Sequence, residues 1–114
     1  METVVQIAER FGKLIAKADY LGAFSLLTAE AQAVHSPDEF KEIVARMNSY
    51  APGPILEVEA MEEYMLEDWP DKKDTDLAIV YVALEGHGFS EAVSVILAQE
   101  HHQIRIRELE WGRP

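Results

Sequence analysis

Val4, Ile7, Ala8, Phe11, Leu14, Ile15 and Ala18 recur at three- and four-residue spacing, with Glu9, Arg10, Lys13 and Lys17 between them. That is the pattern of an amphipathic helix with one apolar stripe. A second, short helix is expected from Asp19 or Tyr20, carrying Leu21, Phe24 and Leu27; Gly22 weakens it, and Thr28 reads as a stop and a new cap. Ser36-Pro37-Asp38-Glu39 is a start signal. Ser36 can cap an amide, Pro37 suits the first helical position and Glu39 can close a capping box. The third helix carries Phe40, Ile43, Val44 and Met47 and should end near Tyr50, before Ala51-Pro52-Gly53-Pro54.

From Ile55 the period changes to two. Strands are expected over Ile55 to Leu66, Thr75 to Glu85, Phe89 to Gln99 and Ile104 to Trp111. Trp69-Pro70-Asp71-Lys72-Lys73-Asp74 forms a polar loop, Gly86-His87-Gly88 offers positive-φ positions, and Glu100-His101-His102-Gln103 makes the last turn. Connections this short favour an antiparallel meander. The predicted architecture is α+β: three N-terminal helices packed on a curved four-stranded antiparallel sheet, as one domain over residues 1–114.

The middle strands carry a further expectation. Leu77, Ile79, Tyr81 and Ala83 make one face of the second strand, and Ala78, Val80, Val82 and Leu84 make the other. On the third strand Val93, Val95 and Leu97 oppose Ala92, Ile96 and Ala98, interrupted by Ser94. A sheet with one wet face alternates apolar with polar. Helices cover one face only, so the second apolar face predicts burial by another subunit, a homodimer through the sheet.

Composition narrows the partners. With 48% hydrophobic and 27% charged residues the chain is globular rather than disordered. Twenty-one acidic against ten basic residues give a net charge of −11, which repels phosphate backbones and anionic membranes, so neither nucleic acid nor membrane is expected as a partner. The acidity is compatible with a basic protein partner or with a merely solvated surface. There is no cysteine, hence no disulfide, thiol nucleophile or thiolate site. The first residues lack the pattern of a signal peptide and no apolar run is long enough to span a bilayer, which sets the expected location in the cytoplasm.

The run Phe11, Asp19-Tyr20, Ala23-Phe24, Leu27-Thr28 and Ser36-Pro37-Asp38-Glu39-Phe40, followed by four strands ending at Trp111, resembles the nuclear transport factor 2-like superfamily, also called cystatin-like α+β. The resemblance covers essentially the whole chain. That superfamily includes ketosteroid isomerases, dehydratases, polyketide cyclases, transport adaptors, toxin-immunity proteins and accessory domains. The resemblance implies a pocket between helices and sheet, and dimerisation across the opposite face as in many members. It does not fix a function.

Ketosteroid isomerases pair a carboxylate base with a tyrosine and a protonated acid, and this chain offers no matching set. Asp38 is explained by its place in the first turn of a helix. Pocket-lining candidates are Tyr20, Tyr64, Tyr81, Phe11 and Phe24, with Tyr81 first because it shares a face with Leu77, Ile79 and Ala83. His101 and His102 sit in a turn without a third ligand, and His87 stands at a hairpin tip, so no metal site and no cofactor is expected. Arg105 and Arg107 alternate with Ile104 and Ile106, leave one sheet face, and can hold a carboxylate, with Glu57, Glu59 and Glu91 as their expected partners. Glu108 breaks the alternation and predicts a bulge. Trp69 is the one large apolar residue of the polar loop, and serves as a contact residue, a lid or a cover for a sheet edge. Glycine-rich phosphate loops, nucleophile elbows and zinc-binding helix motifs are missing.

These readings favour a non-catalytic domain that binds a small apolar ligand or a protein. Two alternatives stand beside it: an isomerase or lyase using a conical pocket, and an acidic immunity-type or regulatory protein that covers a basic partner.

Overall fold

The computed structural model describes residues 2–50 and 53–112. Among them, helices α1 (Val4–Ala16), α2 (Tyr20–Ser25), α3 (Ala29–Val34) and α4 (Pro37–Tyr50) precede strands β1 (Glu57–Ala60), β2 (Asp76–Gly86), β3 (Phe89–Glu100) and β4 (Gln103–Trp111). The strands form one antiparallel sheet in the order β1-β2-β3-β4, each beside its neighbour in sequence. The fold is α+β with a meander, as expected.

Four helices replace the expected three. Thr28 does more than stop α2: its hydroxyl accepts a bond from the Ala31 amide at 3.1 Å and opens a helix of its own, α3. At α1 the Thr3 hydroxyl accepts from the Gln6 amide while the Gln6 side chain accepts from the Thr3 amide, a complete capping box. At α4 the box stays half-made. Ser36 Oγ accepts from the Glu39 amide at 3.2 Å, but the Glu39 carboxylate turns away to His35 Nδ1 at 2.7 Å. The expected end of this helix falls partly on Ala51 and Pro52, which lie outside the described residues.

The first strand is shorter than its apolar pattern. β1 covers four residues, then a 3₁₀ turn over Glu62–Tyr64 diverts the chain, and Leu66 returns to pair with Ile79 in a single antiparallel bridge. The Met61 amide still donates to Tyr81 O at 2.8 Å, so the diverted segment stays fastened along β2. The bulge on β4 is present. Glu108 pairs with Ile96 and Ile106 with Leu97, which leaves Arg107 as the extra residue, one position before the place the alternation indicated. In the β2–β3 turn only Gly88 takes positive φ, at 73°. Gly86 is needed for a different reason, because a Cβ there would lie 2.3 Å from Pro54 O.

The core lies between the helices and one sheet face. Ile7, Ala8, Phe11 and Ile15 of α1 and Phe40, Val44 and Met47 of α4 pack on Val80, Val82 and Leu84 of β2 and Val93, Val95 and Leu97 of β3. Phe11 and Phe40 meet edge to face at 5.6 Å between ring centroids, and Trp111 leans on both at 6.0 and 6.1 Å. Aromatic pairs in this geometry add about 0.5–1.5 kcal/mol each beyond the area they bury. Gly12 marks where α1 comes closest to the sheet: a Cβ there would meet Val58 Cγ1 at 2.6 Å and Val82 Cγ1 at 2.9 Å. The free edge of β4 is closed by the α2–α3 link, through Thr28 N to Ile106 O at 2.8 Å and Ile106 N to Leu26 O at 2.9 Å.

Candidate functional site

The five pocket candidates do not line one pocket. Phe11 is fully buried in the core, Tyr20 and Phe24 are partly buried against it from α2, and all three lie on the helix side of the sheet. Tyr81 lies on the other side. Val80 and Val82 fill the core, so strand alternation sends Tyr81 to the outer face with Leu77 and Ile79. Tyr64, 64% exposed on the 3₁₀ turn, joins it there. These tyrosines therefore do not meet in one pocket between helices and sheet. Both faces of β2 are apolar, and the alternation alone does not say which one the helices cover.

On the outer face Tyr64, Leu66, Ile79, Tyr81 and Ser94 enclose an apolar groove of about 480 Å³. The chain builds it in three steps. The 3₁₀ turn lifts Tyr64 away from the sheet, the bridge from Leu66 to Ile79 brings the segment back over β2, and Ser94, registered against Tyr81, leaves a shallow floor beside the phenol ring. Leu66 remains 50% exposed. From Leu77 to Leu84 on β2 and from Ala92 to Gln99 on β3 there is no charged residue, so the middle of the face is neutral as well as apolar. Leu66 and Ser94 were not among the expected residues; the single-bridge return of the chain after the 3₁₀ turn puts them there.

Arg105 and Arg107 have separate roles. Arg107 holds Asp76 in a two-bonded pair, Nε to Oδ1 at 2.6 Å and Nη2 to Oδ2 at 2.8 Å, and the Lys73 amide adds a third bond to the carboxylate at 2.9 Å. The Asp76 side chain is fully buried and that of Arg107 is 11% exposed. Burial works against the Asp76 charge, but the bond and charge of Arg107 and the Lys73 amide outweigh it and hold the carboxyl below its ordinary pKa. Arg107 is pushed up, first by its bond to Asp76. This pair ties the start of β2 to the bulge of β4 and is structural in its geometry.

Arg105 instead faces a cleft. Its Nη1 donates to Ser25 O at 2.7 Å, its Nη2 to Gln103 Oε1 at 2.8 Å, and Nε stands 3.5 Å from Glu100 Oε1. The expected partners Glu57, Glu59 and Glu91 are not the ones used. Glu57 and Glu59 are on β1, three strands from β4, and Glu91 is registered against Leu84, whose side chain is in the core.

Trp69 is half-buried rather than free. Lys72 Nζ sits 5.7 Å from the centre of its ring, and Lys72 is itself anchored by Nζ to Glu67 O at 2.7 Å. His87 is exposed on the β2–β3 turn. His101 and His102 are exposed on the β3–β4 turn with φ of 47° and 67°, the two left-handed positions of a tight hairpin. The His35–Glu39 pair was not foreseen, although its four-residue spacing is visible in the sequence; the imidazole also leans on Phe40, 6.3 Å between centroids. Among the described residues no helix is long and apolar enough to cross a membrane. Comparison with protein-family models, with curated proteins and with solved structures found no significant match.

Proposed function

We propose that this is a non-catalytic interaction domain whose working surface is the outer face of its sheet, and that the partner seated there is a second copy of the chain. The observation that carries the reading is the apolar groove of Tyr64, Leu66, Ile79, Tyr81 and Ser94 on the face opposite the helices. A two-fold arrangement places this face on itself, Tyr81 of each copy near Leu66 and Ile79 of the other. No charge would be buried in its centre, because the charged residues stand at the margins: Glu57, Glu59 and Glu85 on one side, Glu108 and Glu110 on the other. These rims stay in water, where a net charge of −11 per chain costs least.

The order of elements, helices first and then a four-strand meander, supports placing the chain with the nuclear transport factor 2-like proteins. The isomerase reading has less behind it, since Phe11, Phe40 and Trp111 pack together between helices and sheet and the candidate phenols Tyr20 and Tyr81 lie on opposite sides of the sheet. Sedimentation equilibrium is the test. The wild type should show a concentration-dependent mass rising from 12.9 kDa towards twice that value, and Tyr81→Glu should hold the protein at the monomer mass. A single 12.9 kDa species of the wild type at every micromolar concentration defeats the proposal.

A further inference from the structure

We infer that the cleft between α1 and the β4 edge is a binding site for a small carboxylate with an apolar body, an aryl or branched alkyl acid. The cleft is about 500 Å³, within the size of small-ligand sites, and lies on the helix side of the molecule, apart from the outer sheet face. Its apolar floor is Ile7 of α1, Leu26 after α2 and Ile104 of β4; Arg10 and Arg105 reach it from its two walls. Two of the ten basic residues of an acidic chain thus converge on one apolar cleft.

The Arg105 guanidinium is pre-set. Bonds to Ser25 O and Gln103 Oε1 use one N–H on each terminal nitrogen, and Glu100 stands on the Nε side. A guanidinium carries two N–H groups on each terminal nitrogen, so one on each remains to be offered to a carboxylate. The bonds already made fix the plane of the group, and little side-chain freedom is lost when the ligand arrives.

Arg10 shows what the site accepts. Its Nη2 is bound by the carboxylate of Glu2, a residue that also lines the cleft. The chain therefore supplies its own carboxylate as an occupant. Both partners are largely solvated, 49% and 40% exposed, so the pair is weak and a ligand carboxylate can take the place of Glu2. The apolar floor favours an acid with a hydrocarbon body over a bare inorganic anion.

The test is a titration of the full ¹⁵N-labelled chain with benzoate, followed by amide chemical shifts, with benzamide and inorganic phosphate as parallel arms. Benzoate should give saturable shifts at Ser25, Leu26 and Gln103 to Arg105, and benzamide none. Glu2→Gln removes the internal competitor at an exposed position and should tighten benzoate about threefold to fivefold, the range that release of an exposed ion pair allows. Arg10→Gln and Arg105→Gln should each weaken it, Arg105→Gln by about tenfold or more. Because Arg105 also joins β4 to α2, Arg10→Gln carries the result should Arg105→Gln not fold. Absence of saturable shifts at these amides, equal shifts from benzamide, stronger binding of phosphate than of benzoate, or an unchanged or weaker affinity in Glu2→Gln overturns the assignment.

Discussion

Replacing Asp76 with asparagine removes one charge from the most deeply buried ion pair of the described residues and changes almost nothing in shape. The carboxylate accepts three hydrogen bonds, two from Arg107 at 2.6 and 2.8 Å and one from the Lys73 amide at 2.9 Å. Asparagine keeps one acceptor oxygen. Its NH₂ group must then face an N–H of Arg107 or of Lys73, donor against donor. At least one charge-assisted bond is lost, about 1.5–3 kcal/mol, and Arg107 is left in a buried site without its counter-charge. Removing one partner of such a pair costs about 3–5 kcal/mol; with the asparagine oxygen at the Oδ2 position, where it keeps the bonds from Arg107 Nη2 and the Lys73 amide, the expected loss for Asp76→Asn is about 3 kcal/mol. For an m-value of about 2 kcal/mol per molar urea, the unfolding midpoint falls by about 1.5 M, measured at one fixed protomer concentration because any self-association adds to stability. The pH dependence follows from the lowered carboxyl pKa of Asp76. A group whose folded pKa lies below its unfolded value, about 3.9 for aspartate, stabilises fully above the unfolded value, and the effect is lost as pH falls through the folded one. The gap between wild type and variant should therefore be constant from about pH 7 to 5 and close in stronger acid. A midpoint shift under about 0.5 M at neutral pH, the size of an exposed pair's contribution, or a gap that stays open in acid, would refute this account.

Two further stability changes follow from the backbone. Gly12→Ala should lower the melting temperature: overpacking against Val58 and Val82 costs about 1–3 kcal/mol, more than the roughly 1 kcal/mol that alanine gains in helix propensity, and a higher melting temperature contradicts the close approach. The double change His101→Asn, His102→Gly should raise it by several degrees, because asparagine and glycine take two left-handed positions at less cost than histidine; an unchanged or lower value means the turn carries no such strain.

How much of this molecule is legible in its sequence depends on the distance over which each feature is decided. The apolar stripe of α1 and the Ser36-Pro37 start of α4 are local, and they are where the pattern places them. The same holds for the turn at Glu100 to Gln103, set by two-residue hairpin geometry. Thr28 is legible as a stop and a new cap, yet the six-residue helix it opens has too few apolar positions for a periodic signal, so the sequence shows the cap without the helix. The 3₁₀ turn hid inside the first strand because Met61, Tyr64, Met65 and Leu66 are as apolar as a strand requires.

The candidate site was harder to read for a more general reason. Leu77 to Leu84 is apolar on both sides, so period two assigns the residues to two sets without telling which set meets the helices. That choice is made by packing across the chain. The set Val80, Val82, Val93 and Val95 goes under the helices, and the glycine at position 12 is what lets α1 come down on Val82. Once that set is inside, Tyr81 is outside by alternation, and the groove with Leu66 follows. Arg107 repeats the lesson at the other end of the sheet. Its partner lies thirty-one residues earlier, at the start of β2, and the two meet only because the bulge at position 107 and the irregular pairing at the start of β2 displace them from the regular ladder. Arg105, two residues before it and read as its equal, stays in register opposite Ala98 and so keeps its guanidinium for the cleft. A single extra residue in β4 thus separates an arginine buried in an ion pair from one that lines the cleft, and no pattern of residue types along β4 carries that distinction.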